Sequence, residues 1–209
     1  DIFDRVNRGG TPLNKQEMRN ALYRGRCTRM LDKLCCSPEF LIATGRSINK
    51  ERMKDQYVVL RAIAFLMLHR GEFKDIPALQ YRGDIDDFLA RFMVYVNDNA
   101  PEKLIVDYEN LFIRCMQISY DLLGENGFRF SGNGIRRPIN MPLFEALSYL
   151  FSFVPEKIDY TWASRLILDI ESVKEEFDDS RYFSGNIDST TSVSFRFDRM
   201  DKIINRIQL

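Results

Sequence analysis

Asn49-Lys50-Glu51-Arg52-Met53-Lys54-Asp55-Gln56-Tyr57-Val58-Val59-Leu60-Arg61-Ala62-Ile63-Ala64-Phe65-Leu66-Met67-Leu68-His69-Arg70 reads as one long helix. From 57 to 68 its apolar positions cover every side of a 3.6-residue period, which places it at the centre of a bundle. The run is interrupted by Arg61 and is too short to cross a bilayer, which takes about 20 residues. A guanidinium in such a helix requires an acidic or carbonyl partner. Its neighbours Tyr57 and Val58 supply no carboxylate, so that partner must come from elsewhere in the fold. Arg52, Asp55 and Gln56 fall at i, i+3 and i+4, one face of the expected helix. They read either as a local Arg–Asp pair or as a polar patch facing a domain outside this chain.

The flanking segments repeat the helical period. Asn14 followed by Glu17 is a capping-box pattern and predicts a helix over 15–23. Short helices are expected over 28–36 and 38–43, the latter with Ser37 as cap and Pro38 at its first position. Ile85, Phe88, Leu89, Phe92, Met93 and Val96 form one stripe. Leu104, Tyr108, Leu111, Phe112, Cys115, Ile118 and Leu122 form another, entered through Pro101 and closed by Gly124. Residues 142–153 are apolar enough to be buried. Trp162, Leu166, Ile170, Val173 and Phe177 share a face, with Glu171, Lys174, Glu175 and Asp178 expected among the solvated residues. Val193, Phe197, Met200, Ile204 and Ile207 close the pattern, after a polar linker over 182–192. Phe128-Arg129-Phe130 is too short to nucleate a sheet. The expected fold is all-α, a bundle of about eight helices.

Bulk composition narrows little. The 209 residues carry 30 basic and 30 acidic side chains, 45% apolar residues and 29% charged ones, an ordinary globular balance. Net charge is zero, so no global field announces a polyanion. Locally, residues 1–29 hold seven Lys/Arg against three acids, and residues 156–180 eight acids against three bases. The acids Glu175, Glu176, Asp178 and Asp179 point different ways on a helix and read as a solvated face rather than a metal site. Cys27, Cys35, Cys36 and Cys115 make no C-x-x-C pattern, and a reduced, cytoplasmic setting is expected. The lone histidine, His69, reads as structural.

Two segments carry candidate chemistry. Asn7-Arg8-Gly9-Gly10-Thr11 places two backbone amides beside an amide, a guanidinium and a hydroxyl, which suits a phosphate. Its plainer reading is a helix–turn–helix corner with Pro12 stiffening the turn and Asn14 capping. The glycine-rich loop Phe130-Ser131-Gly132-Asn133-Gly134-Ile135-Arg136-Arg137-Pro138 exposes a basic pair, Arg136 and Arg137, that suits DNA phosphates. It is not a P-loop, since no Gly-Lys-Ser/Thr follows.

The segment over 2–25, IFDRVNRGGTPLNKQEMRNALYRG, resembles the end of the ParB-like N-terminal domain of GmrSD-type, modification-dependent restriction systems and related phage-defence proteins. That family's pattern is I-F-x-R-[VI]-N-x-G-G-x-x-L-x-x-x-E-[IM]-R-x-[AC]. It is matched by Ile2, Phe3, Arg5, Val6, Asn7, Gly9, Gly10, Leu13, Glu17, Met18, Arg19 and Ala21. Arg52 to Gln56, and Arg136-Arg137-Pro138-Ile139-Asn140 leading into Leu143-Phe144-Glu145-Ala146, are similar more loosely. Gln56 stands where the family usually carries Glu.

The resemblance implies an upstream α/β core bearing an Asp-Gly-Gln-Gln-Arg motif associated with nucleotide binding and hydrolysis. This chain is then the C-terminal part of a longer protein. Residues 1–26 would close the nucleotide-binding domain, and 27–209 would form an all-helical domain. A nucleoside triphosphate with Mg would bind the intact parent, bordered by Asn7, Arg8, Gly9, Gly10 and Thr11. Foreign DNA would be recognised or restricted, with Arg136 and Arg137 as DNA contacts. No catalytic residue and no metal ligand is assigned within these residues: HNH nuclease chemistry needs more than one histidine. The alternative is a non-enzymatic helical interaction scaffold.

Overall fold

The computed structural model describes residues 12–132, 135–180 and 182–207. The glycine-turn candidates Asn7, Arg8, Gly9, Gly10 and Thr11 lie outside them. Nine α-helices and no β-strand occur among the described residues: α1 (Lys15–Leu22), α2 (Arg26–Cys35), α3 (Pro38–Ala43), α4 (Lys54–His69), α5 (Ile85–Asp98), α6 (Glu102–Leu123), α7 (Met141–Phe151), α8 (Tyr160–Asp178) and α9 (Thr190–Ile207). The expected all-α bundle is found, with one helix more than the count expected. None of these helices is long and apolar enough to cross a membrane.

Two buried helices organise the bundle. In α4 every residue from Val58 to Met67 is buried, and in α7 every residue from Pro142 to Phe151. They pack on each other; α2, α5 and α6 close around α4, and α6 and α9 around α7. The amphipathic helices α5, α6, α8 and α9 turn their sequence stripes inward: Phe88, Phe92, Phe112, Cys115, Leu166, Ile170, Phe177 and Met200 are all fully buried. Caps fall where short polar side chains precede the apolar periods. Asn14 accepts from the Gln16 and Glu17 amides while Glu17 accepts from the Asn14 amide at 2.6 Å. Ser37, Asp84, Asn140 and Asp159 each accept from an amide of the following first turn.

Three expectations need correction. The long helix does not run from residue 49. Asn49 Oδ1 accepts from the Glu51 amide, which opens only a 3₁₀ turn, Glu51–Met53, and two residues within that turn, Arg52 (φ 55°) and Met53 (φ 57°), are left-handed before α4 starts at Lys54. Arg52 is therefore not on the helical face of Asp55 and Gln56, and no Arg52–Asp55 pair forms. Lys174 is not solvated but 4% exposed, because it stands i+4 from Ile170 and i−3 from Phe177 and shares their inward side. The final helix begins at Thr190 and takes in the last three residues of the expected linker.

Candidate functional site

The second half of the glycine-containing motif, from Asn14 to Arg19, lines a cleft of about 520 Å³ between α1, the Asn49–Lys54 turn and α5. Four cations line it (Lys15, Arg19, Arg52, Lys54) against Glu51 and Asp86. Arg52 closes its rim: its Nη2 donates to the Pro12 carbonyl at 2.5 Å and to Glu17 at 3.0 Å, while its own carbonyl accepts from Asn14 Nδ2 at 2.7 Å. These bonds hold the left-handed pair Arg52–Met53, a conformation that costs roughly 1–2 kcal/mol per residue without glycine. Such strain persists only where surrounding contacts over-determine it.

Arg19 forms the cleft's inner wall. Its Nε donates to Gln16 Oε1 at 3.0 Å and its Nη1 to Asp86 Oδ1 at 2.7 Å; Nη2 has no hydrogen-bond partner among the described residues. Burial alone would raise the Asp86 carboxyl, but Lys15 and Arg19 together hold it below its ordinary range. Behind Arg19 lies Tyr57, whose ring is flanked by two guanidinium carbons, Arg19 at 5.3 Å and Arg61 at 5.5 Å. Gln56 takes no acid role. It accepts from Asn20 and donates to Asp32 at 2.7 Å, tying α1 and α4 to α2.

Beyond Tyr57 the cleft joins a buried ionic network. Glu145 on α7 accepts from Arg61 Nε with one oxygen and from Arg196 Nη2, at 2.9 Å, with the other. All three side chains are at most 1% exposed. Arg61 also donates to Tyr57 Oη at 3.1 Å and to Asp188 at 2.7 Å, and Arg196 to the Ile187 carbonyl at 2.6 Å. Burial opposes the charge on Arg61, yet Glu145 and Asp188 outweigh it and hold its pKa well above the ordinary value. This is the distant acid that the sequence demanded. Next to it His69 stacks on Phe197 with ring centroids 3.6 Å apart, and burial together with the Arg196 charge pushes its pKa down to about 3. His69 is partly buried and packs among Phe65, Tyr149 and Phe197.

Arg136 and Arg137 lie at a second cleft, about 620 Å³, between the 3₁₀ turn Gly124–Asn126, the loop after it and α8. Their side chains are 44% and 40% exposed and already paired, Arg136 with Glu125 at 2.7 Å and Arg137 with Asp178. Arg129, expected only as part of a short apolar piece, is buried beneath them. It donates to the carbonyls of Glu125, Arg137 and Thr44 and to the Ser47 hydroxyl. Two buried cations thus belong to this cleft, Arg129 and Lys174. The spacing of Lys174 against Ile170 and Phe177 was the one signal that would have found it.

Glu175, Glu176, Asp178 and Asp179 are exposed as expected, and among the described residues no group of three or more His, Cys, Asp or Glu is placed to hold a metal. The two clefts lie at different places on the bundle and share no lining residue. Comparison of the chain with protein-family models, with curated proteins and with solved structures finds no match.

Proposed function

We propose that this chain is the helical C-terminal portion of a ParB-like, GmrSD-type defence protein whose parent binds or hydrolyses a nucleotide and recognises or restricts foreign DNA. The observation that carries the reading is the placement of the motif's second half. Glu17 and Arg19, two of the residues on which the resemblance rests, are spent on building one cationic cleft. Glu17 fixes Arg52 at its rim, and Arg19 lines its wall. Pro12, where the glycine turn feeds into the fold, is bonded to the same rim. Lys15, Arg19 and Lys54 line the cleft whose rim holds Pro12, the residue that follows the phosphate candidates Asn7, Arg8, Gly9, Gly10 and Thr11 in sequence, and convergent cations of this kind suit a triphosphate with its Mg.

In this reading the hydrolytic residues belong to the upstream core, and the helical part supplies one wall of the nucleotide site and a DNA-facing surface. The test is nucleoside triphosphate binding by the full-length parent against Asn7→Ala and Arg19→Ala versions. Each variant is expected to lose about tenfold or more in affinity, near 1.4 kcal/mol. Unchanged binding in both would remove the nucleotide assignment and leave a helical interaction scaffold.

A further inference from the structure

The second cleft gathers more basic than acidic side chains, and two of its cations are buried. Lys174 is 4% exposed, but its carboxylate partner Glu171, at 2.9 Å, is 40% exposed, and its other contact is a 3.4 Å approach to the Asn126 carbonyl. Its ammonium is thus held by one partly exposed carboxylate and one long carbonyl contact. Below it, none of the hydrogen bonds of Arg129 goes to a carboxylate. Buried cations held mainly by neutral acceptors leave a positive potential that an incoming anion would complete. On the rim the Arg136–Glu125 and Arg137–Asp178 pairs are solvent-exposed. Such pairs contribute about 0–1 kcal/mol each, so an incoming anion exchanges them at little cost.

The shape limits what enters. Four cations, against the two carboxylates Glu125 and Glu171, line one concavity whose volume, about 620 Å³, is that of a small-ligand pocket. The chain as a whole has no net charge, whereas duplex binding draws on many phosphate contacts spread along a surface. At the mouth Ile135 is 79% exposed, and Arg137 lies with its guanidinium carbon 5.4 Å from the Phe130 ring, its side chain 40% exposed. An aliphatic side chain and a guanidinium plane suit the face of a base.

We infer that the cleft between residues 124–132, residues 135–137 and α8 binds one phosphorylated nucleotide unit of a single-stranded nucleic acid, with Lys174, Arg136 and Arg137 on the phosphate. The inference deepens the DNA part of the function proposed above and rests on it. It gives that part a site and a substrate class: a strand end or a splayed nucleotide, not the side of a duplex.

The experiment is a fluorescence-anisotropy titration of a labelled single strand of about 12 nucleotides with the 209-residue chain at low salt. A blunt duplex of the same sequence and AMP serve as competitors. The single strand is expected to bind, to outcompete its duplex and to be displaced by AMP. Lys174→Met and the double variant Arg136→Ala/Arg137→Ala should each weaken it about tenfold or more. The double variant should also lower the salt slope by about 1–2. Lys174 is buried, so circular dichroism checks that its variant folds; the exposed arginine pair carries the test if it does not. Strand binding that neither variant changes would overturn this site while leaving DNA recognition standing. Binding of AMP without the strand would overturn the single-strand assignment. Absence of binding to strand and duplex alike would overturn the inference and the DNA reading together.

Discussion

Arg61 and Glu145, 84 residues apart in sequence, meet at the centre of the bundle, where Glu145 is shared with Arg196. One carboxylate thus compensates two buried guanidinium groups, and Asp188 compensates Arg61 from the loop before α9. Removing the Glu145 charge takes from Arg196 its carboxylate partner and leaves Arg61 with Asp188 alone. Glu145→Gln keeps the shape and removes the charge, and is expected to cost about 3–5 kcal/mol of unfolding free energy in urea titrations. Replacing Arg61, Glu145 and Arg196 together by apolar residues of similar volume should cost far less than the single change. A loss below about 1 kcal/mol for Glu145→Gln would show that the network does not hold the core.

Arg61 shows how far the sequence reached. One charge inside an apolar helix demanded a tertiary acid, but chain spacing has no means of choosing a partner 84 residues away. The helices themselves were legible because their apolar periods and caps are local signals, and Asn14, Ser37 and Gly124 end or begin helices where those signals stand. The start of α4 was not legible. Nothing local opposes a helix through Arg52 and Met53; what bends them is Arg52 reaching back to Pro12 and Glu17, a long-range bond that overrides propensity. At the second cleft the exposed pair Arg136–Arg137 was visible as a basic loop. Arg129 was hidden because a charged residue between two phenylalanines gives no period. Lys174 was hidden because its charge masks its place in the apolar spacing of Ile170 and Phe177.

His69 makes stability depend on pH in one direction. Its folded pKa lies near 3 and its unfolded pKa near 6.5, so between those values the unfolded chain binds the extra proton. The contribution of His69 is therefore fully present above about pH 6.5 and is lost as pH falls toward 3. Between pH 7 and pH 5 the loss should approach about 2 kcal/mol. Denaturant midpoints measured at both values for the wild type and His69→Gln check it: the wild-type midpoint should fall further, and equal slopes would remove His69 as the cause.

The cysteines divide into one accessible thiol and three protected ones. Cys36 is exposed, whereas Cys27, Cys35 and Cys115 are buried. Burial pushes the Cys27 and Cys115 thiols up to about 12, and burial with the neighbouring Asp55 raises Cys35 as well. Since the thiolate is the reactive species, the native chain should titrate one fast thiol per molecule with a thiol–disulfide reagent near pH 8, and all four after unfolding. Cys36→Ser should abolish the fast phase. A second fast thiol in the native chain would mean that the packing of α2 or α6 is not as described.

Gly45 links backbone conformation to the second cleft. Its φ of +58° is left-handed, and a Cβ built there would lie 2.0 Å from Arg136 Nη2 and 2.7 Å from Glu125 Oε2. Both obstructing atoms are ends of flexible side chains, so Gly45→Ala should displace Arg136 rather than the helices. Gly83 offers the control: its φ is +87°, but a Cβ there meets nothing nearer than Thr190 Cγ2 at 3.6 Å. Both alanine variants should lose roughly 1–2 kcal/mol from the left-handed backbone, read from urea midpoints. Only Gly45→Ala should also weaken the single strand in the anisotropy titration, because only there does the new methyl group occupy the place of a cleft arginine. Equal strand affinity in the two variants would mean that Arg136 reaches its ligand from some other position than the one Gly45 permits.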